Sequence, residues 1–172
     1  MGPKETVIFE DETGFSLHPR LGRGWAKRGK RLKVPTASIH HPRLNVFGWV
    51  APLLGRMGLH YSKTGNRQNF LECLRQLYRR FPRYTLWVYV DRAAWHKGKE
   101  VESFQKAHPR LQVDYLPRYQ PGLNAQERIW RQLRYEGTTN LYFESLDSLK
   151  TKIHRVTQSW SNHKIKQLCQ LT

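Results

Sequence analysis

Short apolar runs alternate with helical repeats along the chain, and their periods predict the secondary structure. Residues 6–9 form a continuous apolar run that is too short for a helix and predicts a buried strand ending at the acids 10–12. Two further strand-like stretches, 44–54 and 57–62, are separated by a Gly-Arg pair. The first part of the chain is therefore predicted to form three strands, the last two in an antiparallel meander.

A helix and a second buried strand are predicted next. From Asn69 to Phe81 the apolar positions recur at helical spacing, and Pro82 then ends the pattern. Residues 85–90 form another apolar run, which ends on Asp91. Because a helix precedes this run, we expect a strand parallel to the first one and beside it.

The remaining pattern completes an α/β fold. It predicts a short helix over 100–107, a strand over 111–116 and a helix over 124–135. Ser145 is predicted to cap a last helix, whose apolar stripe continues to Trp160. The order is typical of the ribonuclease H-like fold, a five-stranded mixed sheet flanked by helices. Since no repeat or linker divides the chain, residues 1–172 are expected to form a single domain.

The charge of the chain indicates a polyanionic partner. Thirty Lys and Arg residues stand against thirteen Asp and Glu, which gives a net charge of +17. The Lys and Arg residues are interleaved with aromatic residues along the whole chain, so a folded basic surface that binds nucleic acid is predicted. Seven of them surround Trp25 in one stretch and are predicted to contact DNA phosphates: Arg20, Arg23, Lys27, Arg28, Lys30, Arg31 and Lys33.

The sequence gives no support for a membrane span, a signal peptide or a zinc site. No run of about 18 apolar residues is present and the first residues lack the apolar stretch of a signal peptide. A cytoplasmic protein without membrane contact is expected, associated with the nucleoid if bacterial. The adjacent His40 and His41 lack cysteine or acidic partners at ligand spacing and predict a loop pair instead of a zinc site.

Two acids are predicted to meet at one edge of the sheet. If the strands that carry Asp11 and Asp91 are parallel neighbours, their carboxyl ends place both acids at the same edge. Two carboxylates there favour a hard divalent cation, and a third acid helps to hold a second ion. A pair of ions suits phosphodiester displacement, and a chain with this charge would collect DNA as substrate.

Each candidate residue also has a purely structural interpretation. Asp11 stands between two glutamates and could be a solvated residue at a strand end. Asp91 could form an ion pair with a neighbouring arginine. Glu127 follows Asn124 by three residues and could belong to a helix cap, a role that is compatible with metal binding. His96 could simply be packed beside a tryptophan.

Three segments resemble the acidic motifs of DDE transposases, in the mariner-like and bacterial insertion-sequence branch. They are Phe-Glu-Asp-Glu-Thr-Gly-Phe at 9–15, Val-Asp-Arg-Ala-Ala-Trp-His-Lys at 90–97, and Leu-Pro-Arg-Tyr-Gln-Pro-Gly-Leu-Asn-Ala-Gln-Glu-Arg-Ile-Trp at 116–130. Thirty-five residues separate Asp91 from Glu127, a spacing that suits this branch. The resemblance extends from about residue 6 to residue 160.

The resemblance implies a catalytic site and its cofactors. Asp11, Asp91 and Glu127 would be the catalytic carboxylates that hold two Mg²⁺ or Mn²⁺ ions, with His96 in an auxiliary role. The chain departs from the family pattern at Arg92, where asparagine is common, and at Gln120 and Ala125, but all three carboxylates are present. Arg92 and Lys97, beside the second acid, join the predicted DNA contacts.

The resemblance also implies an activity and its partners. It implies a transposase that cleaves DNA at the ends of an element and transfers them to target DNA, at TA sites, as a homodimer. Family members carry N-terminal helix-turn-helix modules that read the element ends, and these are not found in this sequence. The chain is therefore expected to be either the catalytic part of a longer transposase or one piece of a transposase that is encoded in two.

Two other functions fit the same residues. One is a different ribonuclease H-like nuclease, which would act on RNA or on a nicked duplex. The other is a domesticated DNA-binding domain whose carboxylates no longer turn over. The third motif argues against the first alternative, and the presence of all three acids argues against the second.

Overall fold

A five-stranded mixed sheet forms the centre of the protein. The computed structural model describes residues 4–36, 42–118 and 120–170, so His40 and His41 lie outside the described residues. The sheet order is β3-β2-β1-β4-β5. β1 and β3 are antiparallel to β2, whereas β4 is parallel to both β1 and β5. The strands are β1 (Lys4–Ser16), β2 (Arg43–Ala51), β3 (Arg56–Ser62), β4 (Tyr84–Val90) and β5 (Leu111–Tyr115).

Helices cover both faces of this sheet, as the sequence predicts. Buried side chains of α1 and α2 pack with Phe47 and Val88 on one face. Buried side chains of α3, α4 and α5 pack with Val46 and Val50 on the other. Within the described residues, no helix is long and apolar enough to cross a membrane. The helices are α1 (Arg67–Arg80), α2 (Lys99–Ala107), α3 (Ala125–Gly137), α4 (Leu146–Gln158) and α5 (Asn162–Cys169).

The first strand is longer than the sequence predicts. β1 does not end at its acids but continues to Ser16, because its antiparallel pairing with β2 runs from Phe9 to Ser16. Its parallel pairing with β4 stops at Phe9, opposite Tyr89. The acids therefore lie within β1, just beyond the point where its pairing with β4 ends. There, the edge of β1 that faces β4 has no partner strand among the described residues.

Two further boundaries differ from the prediction. β2 stops at Ala51, because Pro52 has no backbone N–H for the ladder and begins a short 3-10 helix instead. The helix predicted to continue to Trp160 ends at Gln158. A separate helix, α5, follows after its own cap, in which the Ser161 hydroxyl accepts a hydrogen bond from the Lys164 amide. Its eight residues are too few to show a clear helical period in the sequence.

A candidate active site of three carboxylates

The three motif carboxylates line one cavity at the edge of the sheet. Asp11 projects from the part of β1 that lies beyond β4, Asp91 follows the last residue of β4, and Glu127 lies in the first turn of α3. The cavity has a volume of about 460 Å³. All but two of its lining residues are polar or charged, and they are Asp11, Asp91, Arg92, Lys97, Leu116, Pro117, Arg118, Gln120, Asn124 and Glu127.

Strand alternation separates Asp11 from the two glutamates beside it. Glu10 points with Ile8 toward the α1 face and is fully buried. Asp11 points toward the α3 face, where the Trp130 indole Nε1 donates a hydrogen bond to its Oδ2 at 3.0 Å. Burial, together with the negative charges of Glu127 and Asp91, raises the pKa of Asp11 to about 7. Nearby positive charge would therefore stabilise its ionised form.

Asp91 is held in place by its own loop. The Ala93 amide donates a hydrogen bond to its Oδ1 at 2.9 Å, and His96 Nδ1 lies 2.8 Å from the same oxygen. The bond to His96 is the largest cause that lowers the pKa of Asp91, so the carboxylate is ionised at neutral pH. His96 itself is buried against the Phe70 ring. His96 thus contacts Asp91 from the buried side of the loop, and it does not line the cavity of the three carboxylates.

A second carboxylate faces the other side of the His96 ring. Glu10 Oε2 lies 3.6 Å from His96 Nε2, which is too long for a hydrogen bond, and both Glu10 oxygens lack a hydrogen-bond partner. Burial is the main cause that raises the pKa of Glu10 well above its usual range, and the charge of Asp11 adds to it. No pattern in the sequence marks Glu10 as a functional residue, since only the fold shows that it is buried.

The start of α3 is fixed to β1 by its cap. The Asn124 side-chain oxygen accepts a hydrogen bond from the Gln126 amide at 3.0 Å, and its Nδ2 donates to the Glu10 carbonyl at 3.3 Å. Asn124 is thus the helix cap that the sequence predicts, and it also ties the helix to the strand of Asp11. Glu127, in the first turn, is exposed and extends into the cavity. A carboxylate at this end is favoured by the helix dipole.

A glycine lets α3 lie close to the sheet. Gly48 pairs with Asp11 in the ladder between β1 and β2. A Cβ atom at Gly48 would lie 2.4 Å from the Trp130 ring and 2.5 Å from Gln126 Nε2. The missing side chain therefore makes the room in which Trp130 reaches Asp11 and Glu127 comes near it.

The basic residues predicted to contact DNA fall into three groups. Arg92 and Lys97 line the carboxylate cavity, where both cationic groups lie 5.7 Å from the centre of the Tyr115 ring. Arg20 and Arg23 line a separate cavity against α3. The other five project into solvent from an irregular loop that follows β1, and they do not line the carboxylate cavity: Lys27, Arg28, Lys30, Arg31 and Lys33.

Two arginines at the site were missed by the sequence analysis. Arg118 lines the carboxylate cavity, and its position inside the third motif was a signal that could have identified it. Arg43 lines a smaller cavity that also includes Asp11 and Asp91. It begins β2 opposite Ser16, and its side chain extends back over Gly14 toward the acids, a contact that only the folded structure shows.

The donor set at the cavity fits a hard divalent ion, although the side chains are not gathered around one point. The three carboxylates supply only oxygen ligands, and burial with the charges of Glu127 and Asp91 raises the pKa of Asp11, an effect that a bound cation would oppose. Among the described residues, no three acidic, histidine or cysteine side chains are grouped closely enough to form a metal site as they stand. Asp11 is turned toward Trp130 and Asp91 toward His96.

A ribonuclease H-like sheet with three carboxylates at one edge defines the class of metal-dependent nucleases and polynucleotidyl transferases. A match to a protein-family model identifies the family within this class. The model of the DDE superfamily endonucleases matches residues 6–150, and the chain belongs to this family.

Sequence and structure comparisons also find proteins of transposable elements that are similar to this chain. The chain is 29% identical over 158 residues to the insertion element IS630 uncharacterized 39 kDa protein of Shigella sonnei. The aligned region covers 90% of this chain and 45% of that protein. It superposes on the Mos1 transposase paired-end complex with left transposon end with a TM-score of 0.74 at 16% identity, over 96% of this chain and 51% of that one.

A structure of the Mos1 transposase catalytic domain with raltegravir and Mn gives a TM-score of 0.65 at 13% identity, over 96% of this chain and 76% of that one. These superpositions confirm the ribonuclease H-like fold. The chain spans about half the length of the IS630 protein and of the Mos1 chain in the paired-end complex.

Proposed function

We propose that this chain is the catalytic domain of a DNA transposase, which cleaves a DNA strand at the end of an element and joins the freed 3′-hydroxyl to target DNA. The observation that carries this proposal is that Asp11, Asp91 and Glu127, from three separate elements, all line one cavity. Each comes from a different segment of the family's motif pattern, and the family model spans all three.

Asp11, Asp91 and Glu127 are the residues that would hold two divalent ions, Mg²⁺ or Mn²⁺. Mos1 paired-end complexes with Mg and with Mn are among the structures that this chain resembles. When bound, such ions activate the attacking water or hydroxyl and stabilise the leaving oxygen of a phosphodiester. Glu127 is exposed at the start of a helix, so its side chain has the freedom to turn toward the two aspartates.

The remaining residues of the cavity orient the substrate and its ligands. Arg92, Lys97 and Arg118 place three positive charges on the wall, where they would offset the charge of a DNA phosphate. His96 acts through Asp91, because its Nδ1 lies 2.8 Å from Asp91 Oδ1 and fixes the direction of that carboxylate. His96 is therefore a positioning residue in this proposal.

The exposed loop that follows β1 would extend the contact with DNA. Its seven Lys and Arg side chains are exposed. Trp25 is 99% exposed, which is unusual for so large an aromatic side chain. Interleaved cations and an exposed indole suit a nucleic-acid backbone and its bases. Non-specific, salt-sensitive binding of DNA is expected from such a surface.

A cleavage assay tests the proposal. Supercoiled plasmid and duplex oligonucleotides are incubated with the protein in Mg²⁺ or Mn²⁺, and wild type is compared with Asp91→Asn. Nicking that requires metal and is lost in Asp91→Asn is the expected result. Asp147→Asn, an exposed aspartate on α4 away from the cavity, makes the same charge change and should nick at the wild-type rate.

Other outcomes would identify the alternative functions. Metal-dependent cleavage of an RNA strand, with DNA left intact, would indicate a different ribonuclease H-like nuclease. Salt-sensitive DNA binding by both proteins, without nicking in either metal, would contradict the catalytic proposal and indicate a binding domain. Binding is therefore measured in parallel with cleavage, on the same duplexes.

A further inference from the structure

Two adjoining cavities lie between the segment after β1 and the second half of α3, and both are lined by arginines. Their volumes are about 250 and 360 Å³, and Arg20 and Arg134 line both. Arg23 and Arg131 complete the wall of the larger cavity. We call these four residues the arginine track. The other lining residues are Gly14, Phe15, Ser16, His18 and Thr138 in the smaller cavity, and Leu21, Gly22, Tyr135 and Thr139 in the larger.

Arg134 is the fixed centre of this track. Its guanidinium lies 5.2 Å from the centre of the Phe15 ring and donates a hydrogen bond to the Thr13 hydroxyl. Burial is the main cause that lowers the pKa of Arg134, and the positive charge of Arg20 adds to it, whereas the negative charges of Glu127 and Asp11 act in the opposite direction. Several guanidinium groups are thus held close together, an arrangement that an anion between them would stabilise.

The two acids whose charges act on Arg134, Glu127 and Asp11, lie outside the lining of both cavities. Neither cavity has an aspartate or glutamate in its lining. In the part of the chain that the structure describes, the ion pairs within 4.0 Å involve other cations, and none includes a residue of the arginine track. The guanidinium groups are therefore available for an external ligand, and planar paired N–H donors match a phosphate.

The segment that carries Arg20 and Arg23 is fastened to the end of α3. Asn140 has a left-handed backbone, with φ of 60°, and its side-chain oxygen accepts a hydrogen bond from the Gly22 amide at 2.9 Å. Its Nδ2 donates to the Gly22 carbonyl at 3.2 Å, and its own amide donates to the Arg20 carbonyl at 2.9 Å. These bonds hold the two loop arginines opposite the two helix arginines before any ligand binds.

The track leads away from the carboxylate cavity along one face of α3. Glu127, Arg131 and Arg134 are spaced at i, i+4 and i+7, which places them on the same side of the helix. At a rise of about 1.5 Å per residue, Arg131 lies about 6 Å and Arg134 about 10 Å along the axis from Glu127. A DNA strand rises about 3.4 Å per nucleotide along the duplex axis, so for a duplex aligned with α3 this distance corresponds to two or three nucleotides.

We propose that the arginine track binds consecutive backbone phosphates of the DNA strand that leaves the carboxylate cavity. This inference rests on the proposed function, since it takes the scissile phosphate to lie at Asp11, Asp91 and Glu127. Tyr135, which is 72% exposed and lines the larger cavity, lies where it can pack against a sugar or base of the same strand.

The test measures how DNA binding depends on salt. A labelled DNA duplex is titrated with the full chain, without divalent metal, at several KCl concentrations between about 50 and 200 mM. Arg20→Gln and Arg131→Gln should each lower the slope of log K against log salt by about 0.7 to 0.9, and the double variant by about twice that. Arg80→Gln, an exposed arginine at the end of α1, is the matched control and should leave the slope unchanged.

A conservative variant separates geometry from charge. Arg134→Lys keeps the positive charge but loses the paired donors, so its affinity should fall several-fold while the salt slope stays near that of wild type. Thermal unfolding shows whether each variant is folded. Should Arg134→Lys fail to fold, Arg131→Gln still decides the matter, because Arg131 is exposed on the surface of α3.

The outcomes distinguish this inference from the proposed function. Slopes of Arg20→Gln and Arg131→Gln that equal the slope of Arg80→Gln would overturn the arginine track, even if wild type nicks DNA. Absence of DNA binding at low salt would overturn it as well. Lowered slopes in a protein that never nicks DNA would support the track and contradict the catalytic proposal alone.

Discussion

Gly48 lies where β2 passes under α3, and a methyl group has no room there. A Cβ atom would lie 2.4 Å from the Trp130 ring, about 1 Å short of ordinary van der Waals contact, and 2.5 Å from Gln126 Nε2. Trp130 is only 1% exposed and cannot turn away into solvent. In Gly48→Ala we therefore expect α3 to move outward from the sheet by an amount of that order.

Such a shift has two measurable consequences. Overpacking of a buried contact costs about 1–3 kcal/mol, which for a chain of this size lowers the melting temperature by about 2–12 °C. The same shift moves Glu127 away from the two aspartates and weakens the bond from Trp130 to Asp11. A displacement of about 1 Å in a catalytic arrangement can reduce the rate by about 10²-fold. Chemical denaturation and metal-dependent nicking measure the two effects.

Gly137→Ala is the control for Gly48→Ala. Gly137 lies at the end of the same helix, and a Cβ atom there would meet its neighbours at 3.6 Å, an ordinary contact. This variant should be as stable as wild type or slightly more so, because alanine favours a helix more than glycine does. If Gly48→Ala and Gly137→Ala unfold at the same denaturant concentration and nick DNA equally fast, then Gly48 does not control how closely α3 packs on the sheet.

Three further substitutions test interactions away from this contact. Glu10→Leu removes a buried carboxylate without hydrogen bonds and should raise the free energy of unfolding by about 1–3 kcal/mol; a lower denaturation midpoint would contradict this. Arg110→Gln removes two bonds to the Phe81 and Tyr84 carbonyls, at 2.9 and 2.8 Å, and should cost about 2 kcal/mol, so an unchanged midpoint would show that they contribute nothing. Ser145→Ala removes the cap of α4 and should cost about 1 kcal/mol, measured by thermal unfolding against wild type, where equal melting temperatures would refute it.

The predicted fold came from local pattern, and the candidate carboxylates came from local pattern together with the resemblance of three segments to the DDE transposase motifs. Period and length predicted the mixed sheet because a buried strand and an amphipathic helix differ in how often apolar residues recur. The motif resemblance singled out Asp11 among three consecutive acids and Glu127 as the third carboxylate, and Asn124 indicated the cap of the helix that carries Glu127. These features depend on neighbours within a few residues, so they can be inferred from the sequence.

The tertiary structure decided what lies against those residues. β1 outruns β4 because their register fixes where the parallel pairing stops, and no local pattern encodes that register. The same holds for Gly48 under Trp130, for the buried Glu10 beside His96, and for Arg20 opposite Arg134. Each of these contacts joins residues that are far apart in sequence, and each depends on the distance between packed elements. The sequence by itself determined which carboxylates could act, whereas only the packing determined that they share a cavity and where an arginine-lined path leaves it.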